Sequence, residues 1–263
     1  MKKTYLYDFF NSLSIQTFKN FDLVVINDGY VGFGEFIEEF NSLNIIELHS
    51  SDTPAKNREF GINFVRKNNY DILVFGDSDD YFSTNRIEIS INKLKHSNIV
   101  VNDLSLFNEA DGIFSKQYLS ERISNNSKIE IDYIKEKNIF GMTNSAVNVK
   151  ILQEVIFDKR LVAVDWHLFS ILLLARHEAI FTNETETFYR QYDGNTIGIG
   201  SKTDESVLKS IEVKTNHYEL LQEKHEQFKI LYKKMCELKK EIKSVNGIDS
   251  LSKKTRQNLF WWE

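Results

Sequence analysis

The sequence predicts a doubly wound α/β domain: a mostly parallel sheet with helices on both faces. Two observations carry this. Short, continuous apolar runs alternate with helical patterns, and several of those runs end in an aspartate, Asp28 and Asp77 among them. "FDLVVIND" (21–28), "NIIELH" (44–49), "DILVFGD" (71–77) and "NIVVND" (98–103) read as buried strands, being short and rich in Val and Ile. Between them, residues 33–43, 55–67 and 84–95 read as helices, the second opened by Pro54. A further helix is expected over 4–15, where Leu6, Phe9, Phe10 and Leu13 fall on one face. Alternation of this kind builds a crossover-connected sheet. In such sheets ligands bind beyond the carboxyl ends of the strands. Asp28 and Asp77 stand at two such ends and would face one crevice. Asp28 followed by Gly29 equally suits a plain turn.

The pattern loosens from 104 to 138 into polar, hairpin-like stretches, and a second ordered region is expected over 140–192. After Ser201 the sequence predicts one long C-terminal helix. Leu221, Phe228, Leu231, Met235, Leu238 and Ile242 form a stripe at heptad spacing, suited to packing on its own domain or to a two-chain coiled coil.

Composition narrows the class. The chain has 263 residues, 41% hydrophobic and 27% charged, as in ordinary globular proteins. Its one cysteine, Cys236, excludes an internal disulfide framework or a cysteine zinc site and suits a reducing cytosol. The start, "MKKTYLYDFFNS", lacks the uninterrupted apolar core of a secretory signal, and "FSILLLA" (169–175) is far too short to span a membrane. A cytoplasmic protein is expected. A net charge of −5 argues against nucleic acid as a partner. Residues 233–256 nevertheless hold eight Lys/Arg against three Asp/Glu, +5, which leaves −10 on the rest. With the closing "LFWWE", this basic tail suits either a solvated helix face or peripheral contact with the inner face of an anionic membrane.

"ILVFGDSDDYF" (72–82) puts Asp77, Asp79 and Asp80 within four positions. Like charges that close become favourable around a divalent cation such as Mg²⁺ or Mn²⁺, which takes one or two carboxylates plus substrate phosphates. An EF-hand is excluded because Phe82 occupies the position that needs glycine. "GYVGFG" (29–34) has G-x-x-G-x-G spacing, which is not the dinucleotide fingerprint.

Four segments, in order, resemble glycosyltransferase family 2: "SLSIQTFKNFDLVVINDGY", "ILVFGDSDDYF", "VAVDWHLF" and "YRQYDGNTIG". The resemblance implies a GT-A fold, with residues 1–103 as nucleotide-sugar-binding half, 104–201 as acceptor-side half and 202–263 as a helical extension. It implies a metal-dependent, inverting transfer from a UDP- or dTDP-linked sugar to a glycan or lipid-linked acceptor hydroxyl. By resemblance Asp28 binds the base, Arg58 the base or a phosphate (with Lys56 as competitor), and Asp77 lies near the ribose. Asp79 binds Mn²⁺ or Mg²⁺, and Asp165 is the catalytic base. The chain departs from the family pattern in three places. The first family strand is missing before the opening helix, Val164 replaces a usual glutamate, and Tyr192 replaces a usual histidine, with Asp193 beside it as a substitute. The missing strand would leave the apolar edge of "FDLVVIND" open, so self-association is expected. It also allows a degenerate member that binds nucleotide or glycan without turnover. His167 reads as an ordinary polar residue.

Overall fold

The computed structural model describes residues 2–192, 204–242 and 260–263. These form two compact units. The first comprises Met1–Ile129, Gly141–Phe157 and His177–Gln191; the second comprises Glu130–Phe140, Asp158–Arg176 and Tyr192–Glu263.

The first unit opens with helix α1 (Lys3–Ser14). Tyr5, Leu6, Phe9, Phe10 and Leu13 are buried, which is the face that the spacing predicts. Next come strand β1 (Asp22–Asn27), helix α2 (Phe33–Glu39), strand β2 (Asn44–His49) and helix α3 (Pro54–Lys67). β1 and β2 pair in parallel, from Asp22↔Asn44 to Asn27↔His49. Helix α3 starts where Thr53 Oγ1 accepts from Lys56 N and Pro54 takes a position needing no N–H.

A second, larger sheet contains β3 (Ile72–Val74), β4 (Tyr81–Phe82), β5 (Ile99–Asn108), β6 (Gly112–Ser115), β7 (Lys128–Ile129), β8 (Ser145–Asn148) and β9 (Ala179–Arg190). Helix α4 (Arg86–Leu94) lies between β4 and β5 in sequence. The order is β3-β8-β5-β9-β4, with β6 on β5 and β7 on β9. β5 and β9 pair in parallel and are the spine; β8 is antiparallel to both β3 and β5, so β3, β5 and β9 run one way. The buried aromatic cluster of this unit lies under α1, where Phe9, Phe10, Phe33, Phe36 and Phe82 pack together.

The second unit contains α5 (Ile131–Ile134), α6 (Val164–Leu174), α7 (Asp204–Leu221) and α8 (Glu226–Ile242). The single long C-terminal helix of the sequence reading is thus two helices. The chain breaks at Gln222–His225, and His225 Nδ1 accepts from Gln227 N at the start of α8. The heptad stripe continues across the break because Leu221, Phe228, Leu231 and Met235 are all buried, packed within this unit. Trp261 and Trp262 are buried as well. Trp261 O accepts from Asn138 N at 2.7 Å, so the aromatic half of the membrane reading is turned inward. Among the described residues, no helix is long and apolar enough to cross a membrane.

His167 is no ordinary surface residue. Its ring meets that of His217 on α7 at 5.9 Å, and the His217 ring stacks on Trp166 at 3.9 Å. His217 is fully buried, and neither ring nitrogen has a partner among the described residues. Burial, then the nearby Lys224, pushes His167 down to about 4. Burial, then His167 and Lys214, holds His217 well below the usual range. Both are neutral in the fold, while an unfolded chain protonates them near about 6.5. Stability is therefore level above about pH 6.5. It falls with further acidification by up to about 1.4 kcal/mol per pH unit for each histidine, down to about pH 4 for His167. Melting curves from pH 7.5 to 4.5 should show that slope, and His217→Phe should flatten it. An equal slope in the variant would assign the acid sensitivity elsewhere.

Candidate active site

The acid-rich turn Asp77–Asp80 follows β3, and the structure divides its three carboxylates between distinct tasks. Asp80 is buried, and its oxygens accept from Thr143 Oγ1 at 2.6 Å and Arg190 N at 2.8 Å. Burial first, then the charges of Asp79 and Asp77, push its carboxyl well above the usual range. Asp80 thus anchors the turn and is removed from any ligand set. Asp77 and Asp79 are half-buried. Asp77 Oδ1 meets Arg58 Nη2 at 3.0 Å, so the structure brings two of the sequence-derived donor residues together. The competitor Lys56 is paired instead with Glu59 at 2.7 Å.

Two arginines hold the turn. Arg190, the last residue of β9, donates Nε to Asp79 O at 2.7 Å and Nη2 to Asp8 of α1. Its guanidinium sits over the rings of Tyr5 and Phe107, at 4.0 and 4.4 Å. Arg86 lies fully buried, donating Nη2 to Phe75 O at 2.6 Å and Nε to Asn102 Oδ1 at 3.1 Å. Burial lowers its pKa to about 9 against the raising effect of Asp80 and Asp77. A buried cation near Asp80 and Asp77 offsets part of the acids' mutual repulsion. Sequence reasoning missed both arginines, together with Asp8, Asp80 and Thr143 as supports. The one available signal was Arg190 itself, the basic residue inside "YRQYDGN".

Asp28 follows the end of β1 and is exposed. The turn there is set by its neighbours: Asn27 Oδ1 accepts from Tyr30 N at 2.7 Å, and Gly29 has φ +78°. In the second unit, Asp165 lies within the first turn of α6, whose N-cap is Ala163. Asp165 Oδ1 accepts from Trp166 N at 2.7 Å. Tyr192 is exposed, and Asp193 lies outside the described residues. Val164 is buried at the start of the same helix, as an apolar residue should be.

No group of three or more His, Cys, Asp or Glu poised for a metal occurs among the described residues. The turn instead suits a cation completed by substrate phosphates, which needs only one or two carboxylates. Asp79 is half-buried, and its backbone oxygen accepts from Arg190 Nε at 2.7 Å. A cleft of about 820 Å³ elsewhere in the first unit is lined by Phe82, Asp103, Glu184, Glu186 and Phe188. Its carboxylates are already engaged, Asp103 by Ser120 and Leu119, Glu184 by Lys93 and Glu186 by Ser105.

Comparison with known proteins fits this geometry. The profile described as "Glycosyl transferase family 2" matches residues 2–156. The chain is 26% identical over 209 residues to "Glycosyltransferase GlyA" of Streptococcus pneumoniae serotype 4, covering 73% of this chain and 30% of that one. It thus spans under a third of that relative's length. Among solved structures, S. aureus TarS 1–349 in complex with UDP-GlcNAc superposes with a TM-score of 0.61 at 15% identity, over 84% of this chain and 63% of that one. GalNAc-T7 with UDP, GalNAc and Mn²⁺ superposes with a TM-score of 0.60 at 12% identity, over 97% of this chain and 52% of that one. At these identities the two structures speak for the fold alone.

Proposed function

Because the chain belongs to glycosyl transferase family 2, we propose that it transfers a sugar with inversion from a UDP- or dTDP-linked donor to a hydroxyl of a surface glycan or its lipid-linked precursor. The observation that carries this is the Arg58–Asp77 pair beside the Asp79 turn, an anion-binding cation and a metal-binding carboxylate at one strand end. TarS with UDP-GlcNAc and GalNAc-T7 with UDP and Mn²⁺ support the donor class and the metal by analogy of fold. Asp28 holds the base, Arg58 a phosphate or the base, and Asp77 the ribose side. Asp79 would hold Mn²⁺ or Mg²⁺. When bound, that cation supplies positive charge against the leaving diphosphate. In the single displacement the acceptor oxygen bonds to the anomeric carbon, the bond to the diphosphate oxygen breaks, and the acceptor proton passes to Asp165.

Asp79→Ala should abolish metal-dependent binding of UDP by calorimetry while circular dichroism stays that of the parent. The Asp80 anchor, which holds the turn, is untouched. UDP binding to the variant as tight as to the parent would remove Asp79 from the site. A second reading is nucleotide or glycan binding without turnover; among the described residues β1, which leads to Asp28, pairs with β2 alone. Hydrolysis or transfer of a nucleotide sugar by the purified chain would exclude it.

A further inference from the structure

The cleft of about 820 Å³ in the first unit takes no part in the transfer proposed above. Its volume falls in the range of small-molecule sites, about 300–1,000 Å³. One wall comes from an irregularity in β9. Asn102 of β5 pairs with Thr182, but the next residue, Asp103, pairs with Glu186, so Asn183, Glu184 and Thr185 stand outside the ladder. The loop before α4 pins this excursion: Asn85 Nδ2 donates to Glu184 O at 3.1 Å, and Thr185 Oγ1 donates to Asn85 Oδ1 at 2.9 Å. Another wall is Lys116 and Gln117, held in place by the residues that follow them. Tyr118 N donates to Leu104 O at 2.8 Å, and Leu119 N and Ser120 Oγ donate to the buried Asp103 carboxylate.

These fixed walls present polar groups that the protein itself does not use. The side-chain amides of Gln117 and Asn183 line the cleft and have no partner among the described residues. Glu186 is half-buried; its Oε2 accepts from Ser105 Oγ, and its Oε1 has no donor among the described residues. Phe188, also half-buried, lines the cleft and stacks on Tyr81 at 4.4 Å. Charge narrows the ligand. The lining carries Asp103, Glu184 and Glu186 against Lys116, which disfavours an anion. Asp103 is saturated by hydrogen bonds and Glu184 is paired with Lys93, so a divalent cation would find Glu186 alone. Amides both donate and accept, as sugar hydroxyls do, and the C–H face of a pyranose packs on an aromatic ring. We propose that this cleft binds a neutral oligosaccharide, holding a stretch of the acceptor glycan remote from the reacting hydroxyl. The choice of a saccharide over another neutral polar ligand rests on the reaction proposed above. Glu186, Phe188 and Arg190 alternate onto one face of β9, and at about 3.3 Å per residue Glu186 stands about 13 Å along the strand from the Arg190 clamp on the acid turn. Donor and glycan thus take separate places on one unit.

The test follows backbone amide shifts by NMR as chitotriose, cellotriose or maltotriose is added to the 263-residue chain without UDP or metal. At least one of these sugars should move the amides of residues 83–85 and 183–188 saturably, with a dissociation constant of about 1 mM or tighter. Gln117→Ala combined with Asn183→Ala should weaken that binding by about tenfold or more, with melting temperature and metal-dependent UDP binding as in the parent. The proposal falls if none of the three sugars moves these amides, or if the double variant binds as tightly as the parent. It falls equally if a neutral Ser/Gly peptide moves the amides as strongly, which would make the cleft a peptide site. Sugar binding at these amides by a chain that binds no UDP would support the cleft and defeat the reaction; UDP binding without sugar binding would do the reverse.

Discussion

Asp165→Asn is expected to lower sugar transfer by roughly 10²–10⁴-fold, the range for losing a general base, with donor affinity and melting temperature unchanged. The structure makes this substitution clean. Asp165 is not the N-cap of α6; it sits within the first turn and accepts from Trp166 N through Oδ1. Asparagine keeps that acceptor oxygen but loses the negative charge and the ability to take a proton. Asp165→Ala would also remove the acceptor and cost on the order of 1 kcal/mol at the helix start. The two variants together separate roles. If Asp165 is a structural acceptor only, Asn should transfer sugar normally and Ala should be slightly less stable. Transfer by Asp165→Asn within about threefold of the parent would end its candidacy as base.

Arg86→Met should produce the largest loss of stability, about 3–5 kcal/mol, the usual cost of breaking one side of a buried charge arrangement. Methionine fills a similar volume, so cavity formation contributes little. What is lost is the guanidinium that donates to Phe75 O and Asn102 Oδ1 and that stands beside Asp80. Phe75 O and Asn102 Oδ1 then lose those donors, and the repulsion among Asp77, Asp79 and Asp80 is less compensated. Arg86→Lys should recover part of the loss, since the charge returns without the planar fork. Denaturant titration reads the difference as a shift in midpoint at constant slope. A midpoint shift under about 1 kcal/mol for Arg86→Met would mean that Asp80 carries its proton in the fold and needs no cation.

The parts of this fold that were legible are those fixed by local pattern. β1 and β2 lie where continuous Val/Ile runs place them, and α1, α3 and α4 agree with prediction to within two residues at each end. β3 is shorter than its apolar run: Phe75 N still donates to Ser145 O of β8, but Phe75 O accepts from Arg86, a contact no local rule contains. The polar stretch after 104 hid the second half of β5, whose pairing partners in β6, β8 and β9 lie from 4 to 83 residues further along. The break between α7 and α8 has neither glycine nor proline to announce it, so the heptad stripe read as one helix. In the site, Arg58 and Asp77 were legible from resemblance and meet in space. The separation of Asp80 from Asp79 was not, because adjacent aspartates differ here only in what tertiary packing puts around them: Thr143 and Arg190 for one, half-exposure for the other.

The position of β9 has a consequence for how this chain is made. Arg190 closes the Asp77–Asp80 turn from 110 residues away, and β9 is the strand between β5 and β4. A ribosome releases β1 through β5 well before β9 exists. During that interval the nascent sheet has β5 without its parallel neighbour and an acid-rich turn without its clamp. Contacts this far apart in sequence form slowly, because the intervening chain must be ordered first. The first unit therefore matures only when its last strand emerges. A message truncated before residue 179 would yield every acidic residue of the turn but neither β9 nor the Arg190 contacts to Asp79 and Asp80.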